Sequence, residues 1–305
     1  MNLKQKYLQF KHWQQQPYQV APLSQEEHTC ATCGTTYQGN YCPRCGQSCR
    51  IGRYSLKSAM LLLLDVWGLG NRGMFRSVRD LLLRPGYMIR DYLSGMQMAY
   101  FPPFKMFFLL ATLSLIVDSG FNMKGENRLE QVMESYQSGF DKGIQENDDP
   151  QPLNEEDAER DKVVKEVMTK VYDTSKAVVQ FVTDHQTIVE LMWLLILSLP
   201  LFTLYRGCPA IPDLNYPEFF VAMVYITNMM NIVTTVFSFF CIDMVAVGLV
   251  SPLLSVVALK QLSGYSYLRT LLSVVASFVI IMIVVVILVM LLGVVIGFIR
   301  AFYTP

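Results

Sequence analysis

The sequence predicts an all-α integral membrane protein with about five transmembrane helices, a small N-terminal cysteine-rich ribbon and an extracytoplasmic helical hairpin. The 305-residue chain is 52% hydrophobic and 16% charged, with a mean hydropathy of +0.31. Soluble domains are roughly 45–50% apolar, so the excess is expected to be buried in lipid. Two Cys-x-x-Cys pairs lie near the start of the chain, and long apolar runs fill its second half.

Residues 1–29 are interpreted as an N-terminal tail. They include basic residues, but they contain no apolar core of roughly seven to fifteen residues and no small-residue cleavage site. A secretory signal peptide is therefore not expected.

Residues 30–47 predict a zinc ribbon that holds one structural ion. The four candidate ligands are Cys30, Cys33, Cys42 and Cys45. Four thiolates would complete a tetrahedral zinc site and leave no position for water, which is typical of structural zinc. The intervening TTYQGNY predicts a hairpin with its turn at Gly39-Asn40.

Other chemistry is compatible with the same cysteines. The pairs could be metal-free redox dithiols or could bind iron, and His28 could replace Cys30 as a ligand. If the module contacts a partner protein, Tyr37, Tyr41 and Arg44 are the expected exposed contacts.

Residues 54–100 predict cytoplasmic helices that lie in or dip into the membrane interface. The run from 55 to 69 is too short to span a bilayer, which favours an interfacial or re-entrant helix. The following segment has arginines at helical spacing and is divided by Arg84-Pro85-Gly86, so two in-plane helices are expected. The arginines predicted to contact anionic lipid head groups are Arg72, Arg76, Arg79, Arg84 and Arg90.

Apolar runs predict the spans and acidic helices separate the first span from the rest. One transmembrane helix is expected within 104–121 and four within 188–300, with apolar runs at 104–117, 188–205, 219–240, 244–262 and 271–298. Between them, 122–187 carries helical apolar periodicity in an acidic segment, which predicts an extracytoplasmic helical hairpin.

The distribution of basic residues predicts the orientation in a bacterial inner membrane. The arginines before the first span place the N-terminus in the cytoplasm, and five spans place the C-terminus outside. This topology keeps the clustered cysteines in a reducing compartment and puts Cys208 and Cys241 on opposite faces of the membrane.

Polar residues on the third span allow two interpretations. Asn228, Asn231 and Thr235 fall at i, i+3 and i+7 on one face. They could line a polar path through the membrane, or they could form hydrogen bonds between helices, and the second interpretation is favoured because no charged residue lies mid-span nearby.

The segments CATCGTTYQGNYCPRCGQ and RDLLLRPGYMIRDYLSGMQMAYFPPFKMFFLL resemble a bacterial membrane family known as domain of unknown function 3667, common in Bacteroidetes. The resemblance rests on Cys45-Gly46-Gln47, on the turn at 82–86 and on 92–95 ahead of Tyr100. It implies a cytoplasmic zinc ribbon on a multispan inner-membrane domain, and it implies no established activity.

The resulting hypothesis is a non-enzymatic inner-membrane protein whose zinc ribbon is a docking or regulatory head. Expected partners are anionic membrane lipids, a cytoplasmic or membrane protein and a second copy of the chain, but not nucleic acid. The alternative is an oligomeric transporter or permease for small solutes or lipids. An intramembrane enzyme is disfavoured because the sequence contains no recognisable set of acid, base and nucleophile.

Overall fold

The computed structural model describes residues 2–20, 22–49, 72–125, 176–242 and 244–303, together with isolated residues between 127 and 174. Within these ranges the regular secondary structure is helical apart from one small hairpin, formed by β1 (Glu27–Thr29) and β2 (Thr36–Gln38). The helices are α1 (Leu3–Gln15), α2 (Arg72–Leu83), α3 (Pro85–Leu93), α4 (Pro103–Asp118), α5 (Gln186–Tyr205), α6 (Tyr216–Phe239), α7 (Met244–Ser263) and α8 (Tyr267–Tyr303). The chain divides into two compact units, Met1–Lys105 and Met106–Pro305.

Helix α1 occupies the segment that the sequence analysis treated as a tail. It begins with a capping box, in which the backbone N–H of Asn2 donates to Oε1 of Gln5 at 3.2 Å. None of the residues Leu3–Gln15 is buried. The helix was missed because its few apolar residues stand among many Lys and Gln residues, so hydrophobicity gave a weak signal.

Helices α2 and α3 confirm that Arg84-Pro85-Gly86 divides this segment in two. Pro85 lies in the first turn of α3, where its missing N–H costs no helical hydrogen bond. Leu81 of α2 and Met88 and Ile89 of α3 are fully buried and form the core of this unit. A single 3-10 turn, Gln97–Ala99, packs against α3 and leads to α4.

Four of the described helices of the second unit, α5 to α8, pack in a closed arrangement. Helix α6 packs against α5 and α7, and α8 packs against α5 and α7. Their shared core includes fully buried Tyr205, Phe219, Tyr225 and Leu262. Many apolar side chains of α5 and α8 are exposed instead, as expected for helices that contact lipid.

Four described helical segments are long and apolar enough to span a membrane. They are Gln97–Asp118, Gln186–Tyr205, Tyr216–Phe239 and Tyr267–Ile287, and a shorter apolar segment covers Val250–Ser263 within α7. A multi-pass membrane protein is therefore supported, with four candidate spans among the described residues where the sequence predicted about five.

Two predicted elements lie largely outside the described residues. These are the interfacial run at 55–69 and most of the acidic hairpin at 122–187. At the end of the hairpin segment, residues 176–184 are helical and are followed by α5 after a turn at His185.

Candidate metal centre and buried arginine network

The two Cys-x-x-Cys segments form matching turns. In the first, the N–H of Gly34 donates to the carbonyl of Cys30 at 2.9 Å, and in the second the N–H of Gly46 donates to the carbonyl of Cys42 at 2.9 Å. Gly34 and Gly46 have φ of +70° and +74°, a left-handed backbone conformation that residues other than Gly rarely adopt. Each turn therefore depends on the glycine that directly follows its second cysteine.

The turn positions differ from the prediction of a hairpin turn at Gly39-Asn40. Strand β1 precedes the first cysteine pair and aligns antiparallel with β2, so the first Cys-x-x-Cys turn itself joins the two strands. A single bridge between Tyr41 and Ser48 flanks the second turn in the same way. The ribbon thus begins before residue 30, because the first Cys-x-x-Cys turn also serves as the turn of a hairpin.

The four predicted ligands, Cys30, Cys33, Cys42 and Cys45, are brought together. Their sulfur atoms all lie within 4.8 Å of one another, with Sγ of Cys30 3.4 Å from Sγ of Cys45 and Sγ of Cys33 3.5 Å from Sγ of Cys42. A tetrahedron with Zn–S distances of about 2.3 Å has edges of about 3.8 Å. The sulfur cluster fits such an ion, and all four cysteines are free of disulfides.

The surroundings of the cluster act in opposite directions on the thiols of Cys33 and Cys45. The hydroxyl of Thr35 lies 3.3 Å from Sγ of Cys33, and its hydrogen bond to the thiolate, with that of the Thr35 backbone, lowers the pKa of Cys33 to about 6. The backbone of Gln47 favours the thiolate of Cys45, but interaction with Cys30 and burial outweigh it and raise the pKa of Cys45 to about 12. The thiols of Cys33 and Cys45 therefore ionise at very different pH values.

His28 and Tyr37 pack beside the sulfur cluster. His28 pairs across the hairpin with Tyr37, and its Nε2 lies 3.2 Å from Oγ of Ser24. Tyr37 was predicted to be an exposed contact, but it is 8% exposed and packs with Cys30, Cys42 and Cys49. That prediction was wrong because the pleat of β2 turns Tyr37 toward the sulfur cluster, whereas Tyr41 is 67% exposed.

A second polar cluster surrounds Arg84 and was not predicted from the sequence. Its Nη2 donates to Oδ2 of Asp80 at 3.1 Å, to Oδ2 of Asp91 at 2.9 Å and to the hydroxyl of Tyr100 at 2.8 Å. Its Nη1 donates to the carbonyl of Gln16 at 2.5 Å. The guanidinium thus joins the end of α1, both helices α2 and α3, and the residues before α4.

Burial makes this cluster electrostatically important. The side chains of Arg84 and Asp80 are 4% and 1% exposed, respectively. Burial disfavours the charged guanidinium, but Tyr100, Asp80 and Asp91 together outweigh that cost, so the pKa of Arg84 is raised above its ordinary value. Arg84 is therefore held as a cation inside the protein, which differs from its predicted contact with lipid head groups.

The other predicted interfacial arginines have different surroundings. Arg76 donates to the carbonyl of Ala99 at 2.9 Å and stacks 3.9 Å above the ring of Tyr18. The Arg79 side chain is 57% exposed and pairs with Oδ1 of Asp80 at 2.7 Å. Arg90 is half-buried and lies 5.3 Å from the ring centroid of Tyr87. Arg72 belongs to the first turn of α2, and its side chain lies outside the described part of the structure.

The polar residues of the third predicted span lie on α6. Asn228 is fully buried and Thr235 is 6% exposed. Asn231 is half-buried and forms a side-chain hydrogen bond with Glu190 of α5. The Asn231 contact thus joins α6 to α5.

The sequence did contain a signal for the arginine network. Arg84 belongs to the Leu-Leu-Arg-Pro-Gly turn, Asp91 precedes Tyr-Leu-Ser-Gly, and Tyr100 precedes Phe-Pro-Pro. Asp80 lies one helical turn before Arg84. These separate motifs are physically connected, because their charged and hydroxyl groups meet at the guanidinium of Arg84.

Comparisons with known proteins place most of this network inside one matched segment. No curated protein and no solved structure matches the chain. Residues 71–115, which include α2, α3 and most of α4, match the model of the family described as "Protein of unknown function (DUF3667)", so this segment of the chain is similar to that family.

Proposed function

We propose that this protein is a non-enzymatic protein of the bacterial inner membrane whose cysteine module binds one structural zinc ion and acts as a cytoplasmic docking or regulatory head. The observation that carries the proposal is the closed set of four sulfur atoms within 4.8 Å of one another, on a chain with four candidate membrane spans. Such a set holds an ion and leaves no coordination position for a substrate.

Zinc is the cation that the site favours. Thiolate ligands in a tetrahedral arrangement suit zinc or iron. Zinc fits a structural role better, because it has no redox chemistry and the turns of the module are already closed by backbone hydrogen bonds. The ribbon has only a few buried side chains, including Cys30, Tyr37 and Cys42. The ion would therefore replace a hydrophobic core and supply much of the folding energy of the module.

The surface of the ribbon supports a docking role. Tyr41 and Arg44 are exposed next to the second cysteine pair, and Tyr and Arg are residue types that anchor protein interfaces. Because the ion would fix the turn that carries both side chains, metal occupancy would control their presentation to a protein partner.

Basic residues support a cytoplasmic N-terminus. Arg206 follows α5, Lys260 lies near the end of α7 and Arg269 lies in the first turn of α8. The N–H of Ala210 donates to the carbonyl of Ser263 at 3.1 Å, which joins the loop after α5 to the end of α7. These three cations thus gather at one end of the bundle, as the positive-inside rule expects for the cytoplasmic side.

Quantitative copurification from native membranes tests the docking role. Partner recovery and zinc content would be measured for the intact protein, for Cys30→Ser/Cys33→Ser and for Tyr41→Ala/Arg44→Ala, at equal membrane insertion. We expect the cysteine variant to lose both zinc and the partner, and the surface variant to lose the partner and keep the zinc. Full partner recovery by both variants would refute a docking head.

A further inference from the structure

Helix α1 contacts α2 through its last turn, where Nε2 of Gln14 donates to the carbonyl of Leu83 at 2.6 Å, but its first two turns are exposed. It has 13 residues, none of them buried, and Leu3 and Tyr7 are 85% and 62% exposed. Isolated helices shorter than about 12–15 residues are marginal in water, because tertiary packing of an apolar face normally stabilises them. A surface outside the described chain is therefore expected to cover the first two turns of α1.

The residues of α1 define the chemistry of that surface. Leu3, Tyr7 and Phe10 occur at i, i+4 and i+7 and lie on one face. At about 100° per residue, Lys6 lies on one flank of this face and Lys4 and Lys11 lie on the other. All three lysines are exposed, and the first 25 residues contain no Asp or Glu. An apolar stripe between lysines is typical of helices that lie on anionic membranes.

Contacts within the first unit hold α1 close to the start of a candidate span. Nη1 of Arg84 binds the carbonyl of Gln16, directly after α1, and Nη2 of the same guanidinium binds the hydroxyl of Tyr100. Tyr100 belongs to the segment Gln97–Asp118, which is long and apolar enough to cross a membrane. The end of α1 is thus one side chain away from the residues where the chain enters lipid.

We infer that α1 is an in-plane membrane helix that binds the surface of a bilayer containing anionic lipids. The stripe formed by Leu3, Tyr7 and Phe10 lies at the level of the upper acyl chains. Lys4, Lys6 and Lys11 bind lipid phosphates. The inference does not depend on the zinc ribbon, because the cysteine module contributes no residue to this surface.

Hydrogen exchange of the full-length protein in lipid nanodiscs tests this inference. Amide exchange of residues 3–12 would be compared in discs of phosphatidylcholine alone and in discs that also contain phosphatidylglycerol. Each lysine near an anionic leaflet contributes about a fivefold preference, so three give a preference on the order of 100-fold. We expect exchange in the anionic discs to be at least about tenfold slower, and the difference to shrink in 1 M salt.

Variants separate charge from apolar contact. Lys4→Gln/Lys6→Gln/Lys11→Gln should lose the difference between the two lipids, and the corresponding Lys→Arg variant should keep it. Tyr7→Ser/Phe10→Ser should lose protection in both lipids, whereas the control Gln9→Ala, on the opposite face, should keep it.

Two outcomes would overturn the inference. One is equal exchange in both types of disc. The other is protection that rises with the number of protein copies per disc and ignores lipid charge, which would mean that a second copy covers α1.

Discussion

Replacing Arg84 with Met should destabilise the N-terminal unit strongly. The substitution removes a guanidinium that is 4% exposed and leaves the carboxylate of Asp80, which is 1% exposed, without its buried partner. Breaking one side of a buried ion pair costs about 3–5 kcal/mol. For a chain of this size that corresponds to a fall in Tm on the order of 10 °C. Because Arg84 also donates a hydrogen bond to the carbonyl of Gln16, amide hydrogen exchange at residues 14–19 should be faster in the variant.

The assay is thermal unfolding of the purified protein in one detergent, with Arg79→Met as the matched control. Arg79 pairs with the same carboxylate, but its side chain is 57% exposed, so its loss should cost at most about 1 kcal/mol. Adding Asp80→Asn to Arg84→Met should recover part of the lost stability, because it removes a buried charge that would keep the mostly exposed Arg79 as its partner. Equal Tm values for Arg84→Met and Arg79→Met would refute the view that Arg84 organises this unit.

Three further predictions concern separate contacts. Gly46→Ala should weaken zinc affinity by about 5- to 30-fold in a chelator competition, because a left-handed φ costs a residue with a side chain about 1–2 kcal/mol. Gly46→Asn should weaken the affinity less, because Asn adopts this conformation more readily. Equal affinity of the intact protein and both variants would contradict the proposed turn. After zinc removal, alkylation at pH 7 followed by mass spectrometry should modify Cys33 before Cys45, because a pKa of about 6 leaves Cys33 mostly ionised at that pH. Modification of Cys33 should slow as pH falls below about 6, because its thiolate is then protonated, but Cys33 should remain the faster of the two; a faster reaction at Cys45 would contradict the assignment. Ser238→Ala should lower Tm more than Ser114→Ala, because Ser238 is 2% exposed and donates to Oδ1 of Asp118 at 2.6 Å, whereas the Ser114 bond is 3.2 Å long and half-exposed.

The sequence predicted those elements that depend on local chemistry. Cysteine spacing identified all four sulfur atoms of the cluster, because each Cys-x-x-Cys-Gly turn is closed by its own backbone hydrogen bonds. Arg84-Pro85-Gly86 located the break between α2 and α3, since Pro85 fits the first turn of a new helix. Apolar length likewise identified α5, α6 and the first part of α8 as candidate spans.

The sequence could not predict features that depend on distant residues. Arg84 and Gln16 are 68 positions apart, and no local pattern shows that a backbone carbonyl will replace a lipid phosphate as the partner of that guanidinium. Arginines at helical spacing predict a charged face, but packing decides which of them is buried. Tyr37 shows the same limit, because its pleat direction follows from pairing with β1, which lies before the predicted start of the ribbon.

The link between the ribbon and the arginine network is short and has contacts at both ends. Nδ2 of Asn40 donates to the carbonyl of Pro22 at 3.3 Å, and Arg84 binds the carbonyl of Gln16, so the segment between these two contacts is about six residues long. Between them, Arg76 stacks on the ring of Tyr18 at 3.9 Å. A connection of this kind restricts the head far more than a flexible linker of equal length, whose ends would move independently.

A docking head on a restrained connection can pass a force or an orientation to the start of the span at Gln97–Asp118, whereas a flexible tether can only raise the local concentration of a partner. Inserting Gly-Ser-Gly-Ser between Gln19 and Val20 should therefore leave partner capture by Tyr41 and Arg44 intact. It should also abolish any partner-induced change in hydrogen exchange at residues 97–105. The control is the same insertion between Asn2 and Leu3, which leaves this connection unchanged. If the partner-induced change survived the first insertion, the head would act as a tether alone.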